Sequence, residues 1–249
     1  MGLLPTDLQR HALRSRPRAN AIMYQRWQDL LFLHWTMEPE VIQAKLPKGL
    51  TVDCYEGHAY LGVVPFLMRN IRFRGTPALP WVSNFLELNL RTYVYDEAGN
   101  PGVWFFSLDC NQPLAVWAAR TLFHLPYQNA SMQARGTSPS QIHYSSTRSS
   151  RSRPCGASRF DYVLESETRL AQPGTLDFFL VERYLLFAAD RQGKIRTGQV
   201  HHEPYPLNRV SVTTCETDLF ELNGFQKMQL PYVHSIGSRG VDVEVFPLK

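Results

Sequence analysis

Lysine is scarce in this sequence. Only five of the 26 basic residues are lysines, Lys45, Lys48, Lys194, Lys227 and Lys249; the other 21 are arginine. Chemistry that needs an amine nucleophile therefore has few candidates, and such an amine must be partly desolvated to react. Context places all five in solvent: two beside a short helix end, one in a turn, one in a polar stretch and one at the terminus. Cysteine is sparse too. Cys54, Cys110, Cys155 and Cys215 form no CxxC pair and no zinc-ribbon spacing, which excludes a metal knot local in sequence. No apolar leader is read at the start, so reduced thiols and a cytoplasmic location are expected. No window approaches the roughly 18 apolar residues of a membrane-spanning helix. A glycine-rich phosphate loop and a dinucleotide fingerprint are missing, and neither Ser107 nor Ser235 sits in a nucleophile elbow.

What is present reads as a folded chain. Hydrophobic residues make up 44% of the 249 and charged residues 19%, a balance that excludes a mainly disordered protein. The net charge of +4 favours anionic small molecules slightly and nucleic acid weakly. Residues 1–23 form a basic lead-in, read as a solvated helix or loose arm carrying Arg10, Arg14, Arg16 and Arg18. From residue 24 to 249 no repeat or boundary interrupts a single domain.

Within it, Trp27–Trp35 is a dense apolar run of strand length. Pro39–Leu46 is a short helix opened by Pro39 and closed by Pro47-Lys48-Gly49. His58–Met68 is a strand. Asn84–Tyr95 alternates strictly, with Leu86, Leu88, Leu90, Thr92 and Val94 on one face and Phe85, Glu87, Asn89, Arg91, Tyr93 and Tyr95 on the other. A turn at 97–102 returns the chain through Val103–Cys110 as a hairpin. Pro113–His124 has helical spacing, with Leu114, Trp117, Ala118, Thr121 and Leu122 on one face. Ile142–Arg148 and Phe160–Glu165 form a second hairpin around a Ser/Arg loop. Thr175–Phe187 suits helix or strand equally, and 195–202, 209–217 and 241–246 are strand-like. A mostly β protein with a few helices follows.

Several stretches in order carry a resemblance. They are LLFLHW (Leu30–Trp35), LPKGLTVD (Leu46–Asp53), FLELNLRTYV (Phe85–Val94), GVWFFSLD (Gly102–Asp109), AARTLFHLPY (Ala118–Tyr127), HEPYPL (His202–Leu207) and HSIG (His234–Gly237). The chain resembles the uncharacterised bacterial YqjF-like family, domain of unknown function 2071, over nearly its whole length. That family looks like a branch of the acetoacetate decarboxylase superfamily. The resemblance implies a curved, cone-like antiparallel β-barrel with an internal pocket. In the decarboxylases a Pro-Lys-Lys motif supplies the Schiff-base lysine. The matching stretch here keeps Pro126 but continues Tyr127-Gln128, so imine decarboxylation is not expected. Fold alone does not transfer the activity.

The candidate site follows from both lines. The resemblance maps the superfamily's pocket carboxylate onto Glu87 and its arginine onto Arg120, and it puts Tyr127 at the Schiff-base position. The alternation of Asn84–Tyr95 independently groups Glu87, Asn89, Arg91 and Tyr93 on one face, either lining a pocket or facing solvent. Glu87 suits general acid–base work and Arg91 suits bidentate binding of a carboxylate. Their separation of ~13 Å along the strand forbids direct pairing. Catalytic candidates are thus Glu87 and Tyr127, and ligand-binding candidates are Arg91, Arg120, Asn89, Tyr93 and His34. His34 also fits a core histidine. His201 and His202 point to opposite strand faces, so no metal site is expected. Glu182-Arg183 reads as a structural charge pair.

No cofactor is expected. The expected function is a pocket for a small anionic organic molecule, with non-covalent acid–base chemistry. A non-catalytic binding or sensor protein is the alternative, and a nucleic-acid-associated protein using the arm and the 148–159 segment a weaker one. The expected partner is a small carboxylate, with no membrane and no nucleic acid.

Overall fold

A computed structural model describes residues 3–136, 140–150 and 153–249. In chain order the elements are α1 (Asp7–Ala12), β1 (Met23–Met37), α2 (Pro39–Gln43), β2 (Leu50–Val52), β3 (Ala59–Phe73), β4 (Phe85–Asp96), β5 (Pro101–Cys110) and α3 (Pro113–Leu122). Then come β6 (Tyr127–Gly136), β7 (Gln141–Ser150), β8 (Arg153–Arg169), α4 (Leu176–Val181), β9 (Leu185–Ala189), β10 (Ile195–His202), β11 (Leu207–Thr217), α5 (Leu219–Leu222) and β12 (His234–Val245). The ambiguous 175–187 run is both helix and strand. Thr175 caps α4 through the Phe178 amide, and β9 begins three residues after its C-cap Glu182.

The twelve strands form one sheet, ordered β10-β9-β5-β6-β7-β8-β11-β12-β1-β3-β4-β2. Two further pairings, β4 with β5 and β10 with β12, close it on itself in two loops. Both loops share the wall β12-β1-β3-β4-β5. The sheet is therefore not a regular barrel. It is also not wholly antiparallel: β5 runs parallel to β6 and to β9. The α3 crossover between β5 and β6 returns the chain in the same direction, which a tight hairpin cannot do.

The shared wall has a core on each face. Leu86, Leu88 and Leu90 of β4 pack with Leu31, Leu33 and Tyr144 on one side, while Phe85 packs with Phe32, Phe66 and Val200 on the other. Sheet, not helix, covers most of the leucine face.

The alternation of the wall is broken deliberately. On β1 the residues lining the second face are Gln25 and Trp27, then Leu30 and Phe32. The switch of parity occurs at Asp29, whose φ is 50°, inside a register shift against β3. On β3 the lining passes from Phe66 and Met68 to Ile71 and Phe73, and Asn70 between them has φ 53°. On β5 it passes from Phe105 to Leu108 across a shift opposite Leu90–Arg91. Such bulges bend a strand and re-aim its side chains. Here each keeps apolar groups aimed at the same interior.

The lead-in is docked rather than loose. Thr6 and Gln9 form a capping box that starts α1. Arg10 bonds Asp53 at 2.7 and 2.8 Å, Arg16 bonds Glu244 at 2.6 Å and Arg14 approaches Glu182 at 3.7 Å. Three carboxylates of the body therefore hold the arm that composition alone reads as solvated. In the 148–159 segment, Arg148 is buried in an ion pair with Asp109 at 2.6 Å and Arg159 pairs with Asp161; Arg151 and Ser152 lie outside the described residues.

Candidate functional site

The second face of the wall encloses a cavity of about 370 Å³. Trp27, Phe32, Phe66, Phe85, Phe105 and Val200 supply much of its lining. α3 and the 74–84 segment border its opening, where Phe73, Val82, Leu114 and Trp117 line the cavity and are also exposed. This accounts for the exposed apolar face of α3. The face that helical spacing groups is exposed at Leu114, Trp117 and Leu122, and Val116 is buried instead. The helix rims an opening rather than sealing a core. The Gln112 side chain caps α3 at the Leu114 amide and donates to the Trp81 carbonyl at 2.8 Å, tying the two rims together.

Polar groups enter from β4. Glu87, Asn89 and Arg91 all line the cavity, and Glu87 and Asn89 are buried. Tyr127, the first residue of β6, reaches Glu87 over the intervening strand β5: its hydroxyl donates to Oε2 at 2.5 Å. Asn89 Nδ2 donates to Oε1 at 3.3 Å. Burial pushes the Glu87 carboxyl up to about 7, against the opposing pull of these bonds and of Arg91. Burial, and then the neighbouring carboxylate, push the Tyr127 hydroxyl well above its ordinary value. The pair thus holds a carboxyl able to give or take a proton near neutrality, beside a phenol that stays protonated.

Arg91 sits above the Phe32 ring at 5.4 Å, and its Nη2 donates to the Leu180 carbonyl at 3.2 Å and to the Tyr93 hydroxyl at 3.3 Å. Among the described residues no carboxylate lies within ion-pair distance of it. Arg91 Nε and Asn89 Oδ1 are buried without a partner, as is Nη2 of Arg183, which also lines the cavity. Trp27 Nε1, on another lining residue, is a fourth such atom; buried polar atoms are nearly always satisfied, so these four stand out around one cavity.

Tyr93 and His34 lie behind this wall and not in the lining. They belong to a buried chain that leads outward. Tyr93 Oη is 2.7 Å from His34 Nε2, His34 Nδ1 is 2.9 Å from His234 Nδ1, and His234 Nε2 is 2.7 Å from Asp177, which pairs with Arg169. Burial, and then His234 and Arg91, hold His34 well below its ordinary value, so it is neutral. One ordering leaves no donor facing a donor: Arg91 to Tyr93, Tyr93 to His34, His34 to His234 and His234 to Asp177. This chain orients Arg91 from behind. His34 and His234 stand 200 residues apart, and only the fold brings them together.

Arg120 also stays out of the cavity. It is exposed on α3, where Nε donates to the Tyr127 carbonyl at 2.6 Å and Nη2 to the Gln128 side chain at 3.1 Å. It fixes the backbone that presents Tyr127. Glu182 and Arg183 do not pair with each other. Glu182 accepts from the Tyr184 hydroxyl and from the Tyr205 amide, while Arg183 bonds Asp53 at 2.8 Å. Arg10 and Arg183 together hold the Asp53 carboxyl below its usual range despite its burial. His202 is stacked on Tyr184 and bonds the Glu203 carbonyl. Among the described residues, no three His, Cys, Asp or Glu side chains converge as metal ligands. All five lysines are exposed and none lines the cavity.

Sequence reasoning missed the lining from β1, β3 and β5, where bulges break the alternation. It also missed the buried cluster of Asp109, Arg148, Ser107 and Asn223 on the other core. No local signal marks these. Each needs a partner at least 37 residues away.

Solved structures share this fold. An acetoacetate decarboxylase-like enzyme from Sphingomonas wittichii RW1 superposes with a TM-score of 0.60 at 12% identity, covering 93% of each chain. Acetoacetate decarboxylase from Legionella pneumophila gives 0.58 at 12% identity, covering 99% of this chain and 95% of its own. The enduracididine biosynthesis enzyme MppR, complexed with the condensation product of pyruvate and imidazole 4-carboxaldehyde, gives 0.60 at 11% identity, covering 93% and 90%. At such identities the likeness shows the fold alone. By sequence, the uncharacterized protein YqjF of Bacillus subtilis (strain 168) is 34% identical over 229 residues, 92% of each chain. Residues 24–242 match DUF2071, an uncharacterized conserved protein family, and the chain belongs to that family.

Proposed function

We propose that this protein acts on a small carbonyl acid by non-covalent acid–base chemistry, with Glu87 moving the proton. The observation that carries this reading is the Glu87–Tyr127 pair on a cavity wall that no lysine reaches. An amine is needed for an imine, and Tyr127 stands where the superfamily's lysine is expected. The Glu87 carboxylate takes a proton from the carbon next to the carbonyl. The C–H electron pair becomes the enol double bond, and the carbonyl electrons move onto oxygen. Protonated Glu87 no longer requires the Tyr127 hydroxyl, which then donates to that oxygen. Arg91 holds the substrate carboxylate. MppR, whose fold is shared, has been seen with a pyruvate-derived product, which supports a keto acid as the substrate class. Nucleic acid is not the proposed partner, because Arg10, Arg14 and Arg16 already face carboxylates.

Deuterium exchange at the α-carbon of keto acids, followed by proton NMR, tests the reading. Glu87→Gln is expected to slow protein-dependent exchange by about a hundredfold or more, and Tyr127→Phe by less. Borohydride added with the ligand leaves the protein mass unchanged, since no imine forms. Exchange at the wild-type rate in folded Glu87→Gln overturns the proposal. A ligand that binds without any exchange selects the sensor reading instead.

A further inference from the structure

The cavity has two chemically different halves, and β4 sets their order. From the 74–84 segment inward, the lining side chains of β4 are Phe85, Glu87, Asn89 and Arg91. At ~3.4 Å per residue, Arg91 begins about 20 Å from Phe85. Three of the four unanswered polar atoms, on Asn89, Arg91 and Arg183, belong to the inner half; the fourth, Trp27 Nε1, is on the residue paired with Met68. The outer half offers no polar partner from β3: Met68 pairs with Phe85 in the ladder, and Ile71 and Phe73 continue the lining beyond it. Met23, opposite Phe73 on β1, completes an adaptable, mostly apolar channel in which Gln25 of β1 is the polar exception. Beyond it the rim itself is apolar and exposed at Phe73, Leu114 and Trp117. A keto acid with only a methyl beyond its carbonyl would leave this outer half empty. Exposed apolar groups that rim an apolar channel mark a site of interaction, not ordinary surface.

We infer that the ligand is an amphiphile: a free acid with its carboxylate at Arg91, its reactive carbon at Glu87 and a hydrocarbon tail running past Phe85 and Ile71 toward Trp117. This rests on the proposed acid–base reading for its inner half and extends it to the substrate's length. Tail and head make separable contributions. Each methylene buried in the outer channel tightens binding by about three- to fourfold, until the tail reaches the rim. The head contributes a constant factor at every length.

The test is calorimetric titration of the wild-type protein with unbranched α-keto acids from butanoate to dodecanoate, alongside the exchange assay. The expected result is a dissociation constant that falls about three- to fourfold per methylene and then levels off. Arg91→Ala is expected to weaken every homologue by a similar factor and keep the slope. Ile71→Trp, which narrows the outer channel, is expected to end the gain at a shorter chain. Short acids that bind and exchange through Glu87 with no gain from lengthening would overturn the amphiphile and leave the acid–base reading standing. A length gradient without exchange would overturn the chemistry and keep the amphiphile. A gradient unchanged in Ile71→Trp would place the tail elsewhere and overturn the inference.

Discussion

A carboxyl kept near neutrality inside an apolar cavity weakens the fold whenever it ionises. Glu87 titrates at about 7 in the folded protein against an ordinary value of 4.5. Below pH 4.5 it is protonated in both states and makes no difference. Between 4.5 and 7 the unfolded chain releases the proton first, so stability falls as pH rises. Above 7 the loss is complete, about 3 kcal/mol for a shift of this size. Glu87→Gln removes the charge and keeps an acceptor for Tyr127. It is therefore expected to raise the melting temperature, most at pH 8 and least near pH 5, while slowing exchange. Thermal melts across that range check it, and a gain independent of pH would contradict the argument. Stability gained as activity is lost is the usual mark of a functional group held against its own preference.

At the scale of elements, the wall depends on places where strands depart from regularity. Gly240 of β12 has φ +130° and lies opposite Gln28, next to the Asp29 bulge. A Cβ there would stand 2.1 Å from the Trp27 carbonyl oxygen, a backbone atom that cannot step aside. Gly240→Ala is expected to destabilise the protein by about 3 kcal/mol and to disturb Trp27 in the cavity lining. Denaturant titration reads the first effect and tryptophan fluorescence the second; an unshifted midpoint would show that β1 and β12 yield there. These irregularities also decide what the sequence makes legible. β4 has no bulge between Phe85 and Arg91, so plain alternation sorts Glu87, Asn89 and Arg91 from the leucines, and the structure keeps that division. On β1, β3 and β5 one extra residue inverts the parity, and alternation assigns half of each strand to the wrong face. The same strand logic groups Tyr93 with the pocket, yet its hydroxyl is turned back to His34. The role of Arg120 lay out of reach for another reason: a helix face read from periodicity says nothing of an opening beside it. Only the resemblance singles out Tyr127, since its hydrogen-bond partner Glu87 is 40 residues distant.

At the scale of the molecule, the double closure makes one region the most enclosed. β1, β3 and β4 each have a hydrogen-bonded neighbour on both sides and a core on both faces. Their amides can exchange only through the largest opening of the fold. Hydrogen exchange followed by mass spectrometry is expected to find these three strands slowest, behind the docked arm and the β6–β7 hairpin. Faster exchange in the wall than in that hairpin would mean that the closures open independently of the rest.

The pairing of β1 with β12 also bears on how the chain is made. His34 is synthesised 200 residues before His234. At about 5–20 residues per second, that is roughly 10–40 s of synthesis. For this interval β1, with its apolar Leu30–Leu33 run, has one edge without a partner. Nascent chains halted before β12 should therefore engage chaperones, and emergence of β12 should release them.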